Sequence, residues 1–202
     1  MSKESKIYIL RDRKDYILKI TNDKIYNITG EKGSGKSFFG NMKDNDNNCT
    51  VIHLDSIFTP EGIKPHESSY KVRENLIKKF GNDLNPNLYF EKKYYDVIVD
   101  FLRKEKKEGY IEGISISEIE NISNIVGTVV VKRTGVLKCF IRVLKRDYHN
   151  EYFMKIAIEK YGKLAKIHRF FDVYKRRKKM FRSYQNIEKF IEKLENYNKF
   201  NR

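Results

Sequence analysis

Residues Gly30-Glu31-Lys32-Gly33-Ser34-Gly35-Lys36-Ser37 match the pattern Gly-x-x-x-x-Gly-Lys-Ser/Thr at every fixed position. The chemistry such a run supports is the cradling of a polyphosphate. Glycines let the backbone turn tightly, so that consecutive N–H groups converge on phosphate oxygens. A helix opening at Ser37-Phe38-Phe39 would add the positive end of its dipole. Lys36 would reach the β- and γ-phosphates of ATP or another nucleoside triphosphate, and the Ser37 hydroxyl would ligate Mg2+. Gly30 through Phe38 is therefore the expected triphosphate-binding segment.

Other residues could complete a reaction centre. Asp55 closes the apolar run Val51–Leu54. An acid at the C-terminal end of a parallel strand sits at the rim where ligands bind in open α/β sheets. Asp55 could take a proton from an acceptor hydroxyl or hold Mg2+ through water, or it is a solvated acid starting a turn. Glu112 ends another apolar run. If its strand neighbours the one before the loop, it could bind the Mg2+ hydration shell or the acceptor. A rim carboxylate that only caps a helix is the alternative. Lys138, Arg142, Lys145 and Arg146 recur at helical spacing, opposite a stripe of Leu137, Phe140, Ile141 and Leu144. That basic face could stabilise charge during phosphoryl transfer, with Arg142 and Arg146 as its catalytic members, or it is simply solvated. Arg133 is a fainter candidate for the same role.

These residues need elements to position them. Lys6–Leu10 and Tyr16–Ile20 read as short strands, expected to form an antiparallel edge hairpin. Ile25–Thr29 is a third strand, feeding the loop and a helix from Ser37. A helix near Tyr70–Phe80 should stop at Gly81. Another, over Leu88–Lys107, is marked by Tyr94, Val97, Ile98, Phe101 and Leu102, with Gly109 as its expected terminator. Tyr110–Ile116 and Thr128–Lys132 read as strands, the second strongly β-branched. Beyond Gly135 the pattern is helical. Stripes at Leu137/Phe140/Ile141/Leu144, at Tyr152/Phe153/Ile156/Ala157/Tyr161/Leu164, and at Ile187/Phe190/Ile191/Leu194/Tyr197 are read as core-facing. Alternating strands and helices imply a mainly parallel sheet with right-handed crossovers.

Three stretches beyond the loop carry a family resemblance. Val51-Ile52-His53-Leu54-Asp55-Ser56-Ile57-Phe58, Ile111-Glu112-Gly113-Ile114 and Arg142-Val143-Leu144-Lys145-Arg146-Asp147 occur in that order after the glycine-rich run. The chain thereby resembles the P-loop nucleoside and nucleotide kinases, most closely the uridine-kinase-like group. The resemblance implies a three-layer α/β fold with a nucleotide loop in residues 1–134 and a basic helical lid and C-terminal part in 135–202, together one P-loop kinase-like domain. It also implies that the helix carrying Arg142 to Asp147 opens the lid. The stretch Tyr148-His149-Asn150 departs from the family's lid turn, and no adenine-binding fifth strand is evident.

Composition limits the alternatives. The 202 residues carry a formal net charge of +15. Residues 132–202 hold 21 Lys/Arg against 7 Asp/Glu, whereas the first 131 hold 21 against 20. The imbalance points to an anionic partner for the last third. There, Lys175-Arg176-Arg177-Lys178-Lys179 lies among Phe170, Phe171, Tyr174, Phe181 and Tyr184. The run either binds nucleic acid through phosphates and stacked bases or is a solvated helix face with its aromatics in the core. No apolar run is long enough to span a membrane, and a cytoplasmic protein is expected. Cys49 and Cys139 are unpaired by motif, and His53, His66, His149 and His168 show no metal-ligand spacing. No Asn-Lys-x-Asp guanine-reading motif follows the loop. The expected function is an ATP-dependent kinase moving the γ-phosphate to a hydroxyl or phosphate of a small acceptor, a nucleoside or nucleotide. The alternatives are a kinase acting on nucleic-acid ends or modified bases, and a nucleic-acid-associated regulatory ATPase.

Overall fold

A computed structural model describes residues 6–10, 15–19, 23–58, 66–81, 84, 91–115, 119 and 125–200. The chain divides into two compact units, residues 1–30 with 35–132 and residues 31–34 with 133–202.

The first unit is an α/β sheet. Strands β3 (Ile25–Gly30), β4 (Cys49–His53), β5 (Glu108–Glu112) and β6 (Thr128–Lys132) run parallel in the order β6-β3-β5-β4. Every residue of β4 is buried, and β5 and β6 are nearly so, as expected of parallel strands covered on both faces. Strands β1 (Lys6–Leu10) and β2 (Asp15–Lys19) pair antiparallel, and β2 also pairs antiparallel with β6. The flank of β6, where a fifth parallel strand would add, is thus taken.

Helices α1 (Lys36–Asp44) and α4 (Lys92–Glu105) cover opposite faces. Side chains alternate along a strand, so Tyr110 and Glu112 of β5 face one way and Gly109 and Ile111 the other. Tyr110 meets Phe39 of α1 edge to face, with ring centres 6.0 Å apart. Gly109 instead lies under Leu102 of α4, where an added Cβ would come within 2.9 Å of the Leu102 side chain. Gly109 is therefore not the expected helix terminator. It sits inside β5 and lets α4 approach the sheet closely, while Lys106, at φ 55°, ends the helix. The buried stripe of α4 is Tyr94, Tyr95, Ile98, Val99 and Leu102. Residues Leu88–Phe90 and Ile116, assigned above to a helix and a strand, lie outside the described residues. Helices α2 (Leu54–Phe58) and α3 (Glu67–Phe80) complete the unit, α3 stopping at Gly81, at φ 87°.

A polar clamp holds β3. Asn27 is fully buried on the α4 side. Its amide donates to the Val126 and Thr128 carbonyls at 2.9 and 3.3 Å, and its oxygen accepts from the Tyr95 hydroxyl at 3.0 Å. The Tyr95 oxygen in turn accepts from the Val126 amide at 3.1 Å.

The second unit is helical: α5 (Val136–Tyr148), α6 (Glu151–Tyr161), a 3-10 turn (Gly162–Leu164), α7 (Ala165–Arg177) and α8 (Met180–Phe200). Asn150 caps α6 by accepting from the Phe153 amide. Of the three expected apolar stripes, only the α8 one is buried, at Ile187, Phe190 and Ile191; the side chains of Leu194 and Tyr197 are outside the description. On α5 the inward residues are Cys139 and Val143, packed with Met180 and Phe140. Leu137 is 65% exposed and Ile141 49%. The helix is rotated from the expected setting because small side chains, not the largest apolar ones, meet the glycine turn at residue 33. On α6, Ala157 is buried while Tyr152, Phe153 and Ile156 are exposed.

Candidate nucleotide-binding site

In the sheet unit, β3 ends at Gly30 and α1 begins at Lys36. Gly35 precedes α1 in a left-handed conformation, φ 100° and ψ 17°, which an L side chain adopts only under strain. Apart from its chain neighbours, no atom lies within 4 Å of the position its Cβ would occupy. The first-turn amides of α1, those of Lys36, Ser37 and Phe38, have no carbonyl one turn back within the helix. The Phe38 ring is exposed. Lys36 folds back, its Nζ donating to the Gly30 carbonyl at 2.9 Å.

Glu112 lies at the end of β5, the strand directly beside β3. Its carboxylate is buried beneath the start of α1, where the helix dipole favours negative charge. The Ser37 hydroxyl donates to Glu112 Oε1 at 3.2 Å, and His53 Nδ1 donates to Oε2 at 3.3 Å. His53 ends β4, and its backbone N–H donates to Ser69 Oγ at 2.9 Å. Gly40 makes this approach possible, since a Cβ there would come within 2.9 Å of His53 Cε1. Adjacency of β3 and β5 brings Ser37 and Glu112 together, and nothing in the sequence hints that His53 backs the carboxylate.

The histidines also gather more closely than their spacing suggests. His53 stacks on His66 with ring centres 3.9 Å apart, and His66 Nδ1 bonds Asp44 Oδ2 at 2.7 Å. Ligand atoms of Asp44, His53 and His66 fall within 4.8 Å of one another. The rings lie face to face, at 25°. A metal bound in the plane of one ring would sit well off the plane of the other. As it stands, the trio is a stacked brace tied by the His66–Asp44 hydrogen bond.

Asp55 is exposed and belongs to the first turn of α2, two residues beyond the end of β4 at His53. Because β5 separates β4 from β3, Asp55 is displaced from the loop strand by two strand spacings, about 10 Å. It shares no described contact with Ser37 or Glu112.

In the helical unit, Glu31–Ser34 forms a turn closed by the Ser34 amide donating to the Glu31 carbonyl at 3.0 Å. The Lys32 amide donates to Glu31 Oε1 at 2.9 Å. Gly33 has φ +81°, and a Cβ on it would lie 2.7 Å from the Cys139 carbonyl oxygen. Thr134 Oγ1 donates to the Ser34 carbonyl at 3.0 Å, and Arg142 Nη1 donates to the Gly33 carbonyl at 3.1 Å. Arg142 therefore reaches the turn. Arg146 does not: it is exposed, with Nε on Asp147 Oδ1 at 3.1 Å. Arg133 is paired with Glu188 at 2.6 Å. The aromatics around the 175–179 run are not in a core, since Phe170, Phe171, Tyr174 and Phe181 are all exposed. Both cysteines are buried thiols outside any disulfide, and no helix among the described residues is long and apolar enough to cross a membrane.

No protein-family model matches the sequence, and no curated protein is detectably similar to it.

Proposed function

We propose that the chain is a P-loop phosphotransferase that moves the γ-phosphate of ATP to a hydroxyl or phosphate of a small acceptor, a nucleoside or nucleotide. The observation that carries this reading is the adjacency of Ser37 and Glu112 under the N-terminus of α1, with Lys36 folded onto the Gly30 carbonyl one turn away. The donor set fits a magnesium nucleotide. The Cβ position of Gly35 is open, the N-terminus of α1 favours negative charge, and a hydroxyl stands beside a buried carboxylate. Mg2+ would be held by Ser37, with Glu112 accepting from its water shell; the ion supplies neutralisation of charge on the transferred group.

The remaining roles follow from this chain's own residues. Lys36 exchanges its hydrogen bond to Gly30 for one to a phosphate oxygen. His53 holds the Glu112 carboxylate in place and leaves its Oε1 directed at Ser37. Asp55, two strands away, would take the hydroxyl proton of an acceptor lying across β5. Arg142 fixes the Gly33 carbonyl and so the turn. Arg146, which pairs with Asp147 on the same helix, would have to leave that partner to serve as a second cation. A uridine-kinase-like relationship belongs to this same proposal.

The test is incubation with γ-labelled ATP and a panel of nucleosides, nucleotides and oligonucleotides, with Lys36→Ala as control. Label on a small acceptor, lost in the variant, is the expected result. Release of free phosphate alone, whatever the acceptor, would refute phosphotransfer.

A further inference from the structure

The helical unit contains a cleft of about 490 Å³ between α6 and α7, lined by Phe153, Ile156, Lys160, Arg169, Lys175 and Arg176 among others. Four cations face one acid there, Asp172. Arg169 is unusual among them. It is only 4% exposed, and its Nε meets no hydrogen-bond partner. Its Nη2 donates to the Asp147 carbonyl. The guanidinium groups of Arg169 and Arg176 both lie over the Phe153 ring, 4.9 and 5.7 Å from its centre. Burial, and then the neighbouring Arg176 charge, push the Arg169 guanidinium below its ordinary range. A buried cation with an unmet N–H beside a second cation is costly by itself, and a bound anion relieves both penalties.

The surroundings indicate what kind of anion. Phe153 and Ile156, each 42% exposed, give the cleft an apolar floor that a bare phosphate would not use. Past Arg176 the charge continues through Arg177, Lys178 and Lys179, and Phe170, Phe171 and Tyr174 of α7 are exposed. Cations set among partly exposed aromatic residues over several positions suit a polymer that carries both phosphates and bases. We propose that this cleft binds single-stranded nucleic acid, its basic side chains holding phosphodiester groups and a base stacking on the Arg176 guanidinium that Phe153 supports. The site does not depend on the phosphotransfer reading, because every residue in it belongs to the helical unit.

Fluorescence anisotropy with labelled oligothymidine and oligouridine of about 15 nucleotides, using the full chain without nucleotide, tests it. Three or four phosphate contacts predict a slope of about −2 to −3 in log K against log salt, or roughly 20- to 50-fold weakening between 50 and 200 mM. Lys160→Gln with Lys175→Gln should flatten the slope by about 1.4. Phe153→Ala should weaken binding by about 5- to 100-fold at unchanged slope. Circular dichroism of each variant confirms that it is folded; the lysines and Phe153 are exposed enough to be replaced safely, whereas Arg169 is not used. Binding to either oligonucleotide with these responses supports the proposal. Absence of binding at 50 mM salt overturns it. So does equal competition by heparin with no effect of Phe153→Ala, tighter binding of a duplex, or preference for vesicles of anionic lipid.

Discussion

Gly33 and Gly35 occupy the same motif and share a left-handed backbone, yet they should respond differently to alanine. Gly35→Ala meets no neighbour, since nothing lies within 4 Å of the added carbon. Its cost is conformational, about 1–2 kcal/mol for an L residue at positive φ. Restriction of the unfolded chain returns about 0.4–1 kcal/mol, leaving a net loss of about 0.5–1.5 kcal/mol. Gly33→Ala carries the same term and a clash. Its Cβ would lie 2.7 Å from the Cys139 carbonyl oxygen and 3.0 Å from Val143 Cγ2. The carbonyl is helix backbone and cannot rotate away, so α5 or the turn must shift. Overpacking of that kind costs about 1–3 kcal/mol more, giving about 2–4 kcal/mol in total. Urea unfolding followed by circular dichroism at 222 nm measures both variants against the parent. If the two agree within about 0.5 kcal/mol, close packing of the turn on α5 is not what requires glycine at 33.

Further outcomes are expected. Glu112→Gln keeps the side-chain shape but replaces an acceptor by a donor and removes the charge; Mg2+ affinity in the presence of a nucleotide analogue should fall about 10- to 100-fold. Ser37→Ala should do likewise, and unchanged magnesium titrations in both would sink the metal assignment. Asp55→Asn should reduce transfer much more than nucleotide binding, and equal losses would argue against its role as a base. Burial pushes the Tyr95 phenol up to about 12. The unfolded chain releases this proton near pH 10 and the folded chain does not, so the stability is intact below pH 10 and is lost as pH rises toward 12. The loss should be about 2–3 kcal/mol, visible as a falling urea midpoint that flattens in Tyr95→Phe.

Local chemistry that one element dictates by itself was legible in the sequence. The strand, glycine turn and helix around residues 25–44 follow from residue type, and Thr128–Lys132 follows from its run of β-branched side chains. The neighbourhood of Ser37 and Glu112 required only that two parallel strands be adjacent. What depended on partners was not legible. Gly109 looks like a helix stop until Leu102 is seen above it, and the inward face of α5 is set by a glycine turn about a hundred residues earlier in the chain. Hydropathy ranks Leu137 and Ile141 above Cys139, but a close backbone approach favours the smaller group. Asp44, His53 and His66 come from three separate elements, so no spacing rule could have grouped them.

The Asn27 clamp has a consequence for the loop it precedes. A side-chain amide is the one common group of that size that can give two hydrogen bonds to carbonyls while taking one from a phenol. Aspartate would set a third lone-pair bearer against two others, and leucine would remove the side-chain donor to both carbonyls. Three residues beyond it, Gly30 presents the carbonyl on which the Lys36 ammonium rests. The anchor of the cradle is thus fixed from below, and a ligand arriving there would find its footing already rigid instead of having to order it.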